Sequence, residues 1–275
     1  MTDKLTVQSY IDAWTHTIES ISELVAPLAE GEWNRPTECP FWSVRDVVSH
    51  VIGMELELLG DPRPIHTLPR DLFHVDSEFA RYTEIPVDTR RCHTAPEMTS
   101  ELEYTIIRRS RSLRNATTGP DDQVRWPMGP LSREVPYHQL LRTRVFDVWM
   151  HEQDLRRALR SPGNLDSPAA FVSREVLVEA LPKVVARRAG APAGTTVVLD
   201  VHGPMEFMLT VRVDHDGRGS VNEHVPLAPT ARIAMDWETY IRLAGGRMPA
   251  AQAQVKTDGD EELAERILER FAITP

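Results

Sequence analysis

The chain has 275 residues, 41% of them hydrophobic and 26% charged, the balance of a globular protein with room for one large domain or two ordinary ones. Its 31 Lys and Arg against 41 Asp and Glu leave a formal net charge of −10, which repels phosphates and argues against a general nucleic-acid binder. No apolar run approaches the ~18 residues of a membrane span, the N-terminus lacks a signal-peptide pattern, and the two cysteines, Cys39 and Cys92, supply neither a disulfide framework nor a cysteine-rich zinc site, so a soluble cytoplasmic protein is expected.

Helical periodicity runs through the first half. Ile11, Trp14, Ile18, Ile21, Val25 and Leu28 recur three and four residues apart, one apolar stripe on a long helix that Pro27 disturbs near its end. After a turn-rich stretch, Ser43 reads as an N-cap, with Asp46 completing a short capping box. Val47, Val51, Met54 and Leu58 form the inner stripe of this second helix. Residues 60–96 carry Pro62, Pro64, Pro69, Pro86 and Pro96 and read as an irregular connection, long enough to be functional or partly structured. A third helix is predicted from about Pro96 to Asn115, and a fourth from near Pro136 to near Leu159. Four such helices suit an antiparallel bundle.

The run from Ser161 to Pro168 stops the fourth helix and marks a boundary. Beyond one more helix, over about 169–189, the period changes. Thr195 to Val201 is β-branched and apolar, Met205 to Val213 alternates in part, and Ala231, Ile233 and Met235 alternate cleanly. A helix over Trp237 to Ala244, stopped by Gly245-Gly246, and another over Asp260 to Phe271 close an α+β half.

Chemistry concentrates on the second and fourth helices. Asp147 and His151 are four residues apart, one turn above each other on one face. At about 100° per residue, His151 lies roughly 60° and Asp147 roughly 100° from the direction shared by Leu141, Val148, Leu155 and Leu159. Arg144 and Asp154 flank them on nearly the same line. His50 lies roughly 70° from the stripe of its own helix, again at a core margin. Two histidines and a carboxylate from two bundle helices are a usual way to hold a divalent metal, and three protein ligands leave a position open for catalysis. On spacing alone, a hydrogen-bonded Asp–His pair and a satisfied core histidine are the commoner reading; only the fold can bring His50 to His151. The other histidines have no partner at ligand spacing. Cys39 reads as a small buried hydrophobe, and Cys92, in Arg90-Arg91-Cys92-His93, as a residue of a solvated loop.

The segment Trp33-Asn34-Arg35-Pro36-Thr37-Glu38-Cys39-Pro40-Phe41-Trp42-Ser43-Val44-Arg45-Asp46-Val47-Val48-Ser49-His50 resembles the opening motif of the mycothiol-dependent maleylpyruvate isomerase family. So does Arg144 to Arg156, with its Asp-x-x-x-His-x-x-Asp-Leu core, and the segment Glu84 to Arg91. Met235 to Arg247, then Gly259-Asp260, looks like the family's second domain. The resemblance implies an α+β protein: a metal-binding, DinB-type four-helix bundle over 1–164, then a smaller, sterol-carrier-like α+β domain over 165–275. It implies zinc, or another divalent metal, on His50, Asp147 and His151, with mycothiol as thiol cosubstrate and a small-molecule electrophile as partner. No nucleic acid and no membrane are expected. Arg247 is the best match to an arginine that assists catalysis in the family.

The implied activity is that of a metal-dependent, thiol-activating isomerase. A zinc-bound thiolate adds to a maleylpyruvate-like double bond; rotation and elimination then turn cis into trans. One position departs from the family's characterised pattern, which has Glu where this chain has the shorter Asp147. Two alternatives remain open: a mycothiol S-transferase or thiol-exchange enzyme acting on another electrophile, and a non-catalytic small-molecule or lipid-binding protein.

Overall fold

The computed structural model describes residues 6–274, and the chain divides between Gly163 and Asn164 into two compact units. In the first unit, α1 (Val7–Val25) is opened by the Thr6 hydroxyl, which accepts from the Ser9 amide, and it ends before Pro27. It buries Trp14, Ile18 and Ile21 on one side. The expected capping box opens α2 (Val44–Leu58): the Ser43 hydroxyl accepts from the Asp46 amide and the Asp46 carboxylate from the Ser43 amide.

Residues 60–96 are not irregular throughout. They contain α3 (Glu78–Asp88), capped by the Ser77 hydroxyl. Pro86 lies inside this helix and lacks the N–H that the Tyr82 carbonyl would otherwise receive. The Arg63 guanidinium donates to that carbonyl instead, so the helix tolerates its proline through a tertiary contact. Gly53 on α2 makes room for the same turn, because a Cβ there would stand 2.3 Å from the Pro86 Cβ.

The third expected helix is α4 (Ala95–Arg114), where the Glu97 carboxylate accepts from the Thr94 amide. A short antiparallel hairpin that periodicity did not announce, β1 (Gln123–Trp126) and β2 (Arg133–Pro136), leads into α5 (Tyr137–Leu159). Arg160, in a left-handed conformation at φ 55°, ends α5. Helices α1 and α2 each pack against both α4 and α5, which closes a four-helix bundle, and α3 lies along α2. Ile18, Ile52, Leu102 and Trp149 are among its fully enclosed side chains. Burying one large apolar side chain contributes roughly 1.5–3 kcal/mol.

The second unit begins with α6 (Pro168–Lys183), capped by Ser167 and prolonged by a π-turn over Val184–Arg188. Five strands follow with two more helices: β3 (Thr196–His202), β4 (Phe207–Val213), β5 (Gly219–Asn222), β6 (Ala231–Asp236), α7 (Trp237–Ala244), β7 (Lys256–Gly259) and α8 (Glu261–Glu269). The sheet order is β5-β4-β3-β6-β7. Only β3 and β6 pair in parallel, with Leu199 opposite Ile233; the other pairs are antiparallel. β3 occupies the centre because its interior residues are buried on both faces, whereas β6 alternates. Trp237 and Tyr240 on α7 stack with ring centroids 5.5 Å apart, and Phe271 meets Tyr240 edge-on. The unit is α+β, in agreement with the change of period along the chain.

Candidate metal centre

Packing of α2 against α5 brings the three predicted ligands together. His50 sits on the second turn of α2, and Asp147 and His151 lie one turn apart near the middle of α5. The two imidazole centroids are 4.9 Å apart. His50 Nε2 is 3.6 Å from Asp147 Oδ2, and His151 Nε2 is 3.9 Å from Asp147 Oδ1. One ligand atom from each residue lies within 4.8 Å of the other two. Both histidines are buried, whereas the Asp147 side chain is 31% exposed, so the cluster opens to solvent on its carboxylate side.

A second layer orients the cluster. His151 Nδ1 lies 3.2 Å from the buried Asp154 carboxylate, which favours the tautomer with a proton on Nδ1 and a lone pair on Nε2, the atom nearer Asp147. Arg157 bridges Asp154 and Glu38 at 2.9 and 2.7 Å. On the other side, Arg144 donates to Asp147 Oδ2 at 2.8 Å and, through Nε and Nη2, to Oε1 of Glu55 at 3.1 and 2.9 Å. Glu55 is fully buried and also receives Arg109 at 3.0 Å and the Trp14 indole at 3.1 Å. The indole of Trp42 lies across both imidazoles, 5.1 Å from His50 and 6.1 Å from His151, centroid to centroid.

The electrostatics suit a cation. Burial pushes the His50 imidazole below its ordinary value, overcoming the opposing pull of Asp147, so at neutral pH the ring keeps a free lone pair. Burial alone would raise Asp147, but the Arg144 charge and the two histidines hold it well below the usual carboxylate range. His50 Nδ1 is buried with no hydrogen-bond partner among the described residues. Two imidazole nitrogens and one carboxylate oxygen within 4.8 Å of one another, with the carboxylate partly open to solvent, form a donor set that fits a divalent cation.

Periodicity pointed to His50, Asp147 and His151, and placed Arg144 and Asp154 on their line. It did not point to Trp42, Glu55, Arg109 or Arg157, because buried arginines and glutamates carry no sequence mark of burial. Arg247 belongs to the other unit. It lies in the turn after α7, where Gly246 adopts φ 67° and the Arg247 guanidinium donates to the Gly245 carbonyl at 2.6 Å. Away from the cluster, the fold brings His66 within 2.6 Å of Asp88 and His74 within 2.9 Å of Glu84, pairs far apart along the chain. Cys39 is half-buried and Cys92 exposed.

A helical bundle with a His–Asp–His cluster between two of its helices, followed by a small α+β unit, defines a two-unit protein built around a candidate bundle metal site. The profile of the mycothiol maleylpyruvate isomerase N-terminal domain matches residues 14–156, and that of the MDMPI C-terminal domain matches residues 167–266. The chain belongs to the mycothiol-dependent maleylpyruvate isomerase family. Among solved structures it is similar to the mycothiol-dependent maleylpyruvate isomerase, at TM-score 0.58 and 15% identity over 92% of this chain and 93% of that one. It is similar also to a histidine-to-alanine mutant of such an isomerase, at TM-score 0.57 and 14% identity over the same shares. At that identity the likeness is one of fold. No curated protein matches the sequence significantly.

Proposed function

We propose that the chain is a metal-dependent isomerase that uses mycothiol as a low-molecular-weight thiol and converts the cis double bond of a small, maleylpyruvate-like acid to trans. The observation that carries this reading is the convergence of His50, Asp147 and His151 within 4.8 Å in a member of this family. His50 and His151 would supply nitrogen ligands and Asp147 an oxygen. A bound divalent ion, zinc first among the candidates, supplies the Lewis acidity that makes a thiol lose its proton at neutral pH. Asp154 holds the His151 ring in register, Arg144 keeps Asp147 ionised, and Trp42 covers the imidazoles.

The thiol's sulfur adds to one alkene carbon, and the alkene electron pair passes to the conjugated carbonyl. The former double bond then rotates, and expulsion of sulfur restores the alkene as trans. The thiol is regenerated, so no oxidant or reductant is consumed. Arg247 is proposed as the catalytic cation that offsets the enolate charge of the adduct. A cytoplasmic site of action is part of the same reading; among the described residues no helix is long and apolar enough to cross a membrane.

The test is elemental analysis and thiol-dependent turnover on the same preparations, across a panel of electrophiles. His151→Ala should lose the metal and the turnover while keeping its helical circular dichroism, and Arg247→Ala should keep the metal and turn over more slowly. Retention of the adduct, with no trans product, would point to S-transfer instead. Full turnover by a metal-free His151→Ala protein would defeat the thiol-activation reading, and tight ligand binding without turnover by either protein would leave a non-catalytic binder.

A further inference from the structure

The candidate ligands rest against Trp42, and Trp42 in turn rests on a carboxylate that no step above uses. Glu84, on α3, has a side chain only 1% exposed. Its Oε2 accepts the Trp42 indole N–H at 3.0 Å and lies 2.9 Å from His74 Nε2, and its Oε1 lies 2.5 Å from Arg91 Nη2. Arg91 is anchored further by Asp46 at 3.1 Å and Asp88 at 2.7 Å. A carboxylate is costly to bury unless its charge is used, and this one accepts the indole N–H with the His74 ring and the Arg91 guanidinium within ion-pair distance. A hydrogen bond to a charged acceptor is about twice as strong as a neutral one, so the indole has a well-defined orientation. That orientation determines which face Trp42 presents to His50 and His151, 5.1 and 6.1 Å away.

Resting on the metal-site reading above, we infer that Glu84 is a positioning residue of the centre: by clamping the Trp42 indole N–H it holds the plate that orients the two histidine ligands. Glu84 touches none of the three ligands; it acts through Trp42. Its conjunction with His74 ties residue 74 of the 60–77 segment to the same carboxylate, but orientation of the ligands depends on the indole bond alone.

Glu84→Gln keeps the shape and removes the charge. Only one of its two terminal atoms then accepts, so the indole N–H and Arg91 compete for a single oxygen. Trp42→Phe keeps an aromatic plate and removes the donor. His74→Gln serves as a control that leaves the Trp42–Glu84 bond intact. The measurement is zinc affinity of the full-length protein by competition with a chromophoric chelator, with the visible absorption bands of the cobalt-substituted protein and a thermal melt alongside.

Loss of a partner that orients a metal ligand typically weakens affinity by about 10–100-fold; acting one residue further out, Glu84→Gln is expected near the lower end, at about 10-fold. Trp42→Phe should match it, and the double variant should be no worse than either single one, because both break one bond. His74→Gln should stay within about 3-fold of wild type. The cobalt bands should shift in Glu84→Gln and Trp42→Phe, a change that a mere loss of stability would not produce. Wild-type protein that binds zinc, with Glu84→Gln unchanged in affinity and spectrum, would overturn this role alone. Additive losses in the double variant would also overturn it, by showing that Glu84 does not act through Trp42. Wild-type protein that binds no metal would overturn the site reading, and this inference with it.

Discussion

Glu55→Gln should destabilise the bundle by more than any surface change, and the reason lies in how its two oxygens are shared. Oε1 takes Trp14 and two Arg144 nitrogens, while Oε2 takes Arg109 Nε at 3.0 Å. Glu55 is 0% exposed, and the Arg109 and Arg144 side chains are 6% and 5% exposed. With Asp147 included, two positive and two negative charges balance in a network that is buried except at Asp147, whose side chain is 31% exposed. Glutamine can keep one carbonyl toward Trp14 and Arg144, but it then turns its amide N–H2 toward Arg109, donor against donor. Removing one partner from a buried ion pair costs about 3–5 kcal/mol, most of it the penalty of a stranded charge. At about 2–4 °C per kcal/mol for a unit of this size, Tm should fall by roughly 6–20 °C. Urea unfolding followed by tryptophan fluorescence, with circular dichroism melts, reads both quantities. Adding Arg109→Met removes the stranded charge, so the double variant should regain part of the loss. A single-variant loss below about 1 kcal/mol, the range of exposed pairs, or a double variant less stable than the single one, would refute the buried-charge account.

Acid should weaken the metal-free protein from two sides. His50 titrates below its ordinary 6.5 and Asp147 well below 3.8 in the folded state, so the unfolded chain binds more protons at each group; stability is present above those ordinary values and is lost as pH falls from about 6.5 toward and below 3.8. Urea midpoints of chelator-treated protein between pH 8 and pH 4 should decline with the pH, and a flat or rising series contradicts the assignment. At the α2–α3 contact, Gly53→Ala would place a Cβ 2.3 Å from the Pro86 Cβ and should cost about 1–3 kcal/mol by overpacking. The same substitution at Gly31, where a Cβ meets nothing within 4 Å, is the control, and equal urea midpoints for the two variants would count against that contact.

What could be read along the chain was what depends on neighbours a few residues away. The Ser43–Asp46 box and the Asp147–His151 turn are local, and each stands where spacing placed it, whereas the stripe read as far as Leu28 stops being helical at Val25, ahead of Pro27. Pro86 hid α3 because the group that compensates for it, Arg63, is 23 positions upstream and reaches the Tyr82 carbonyl only in the folded state. β1, β2, β5 and β7 are four residues long, too short to display a two-residue period, and β5 and β7 form the edges of their sheet. The candidate centre divides along the same line. Its α5 half is an i,i+4 pair, visible in a single helix; its α2 half, His50, acquires meaning only from the packing of α2 on α5. The outer layer is the least legible part. Glu55 and Arg109 lie 54 positions apart, and their residue types are those of ordinary helix surfaces. Arg144 and Asp154, which give Asp147 its low proton affinity and His151 its tautomer, stand three residues from those ligands on the same helix, whereas Glu55 and Arg109, which fix Arg144 and balance its charge, acquire their roles only once the bundle has closed.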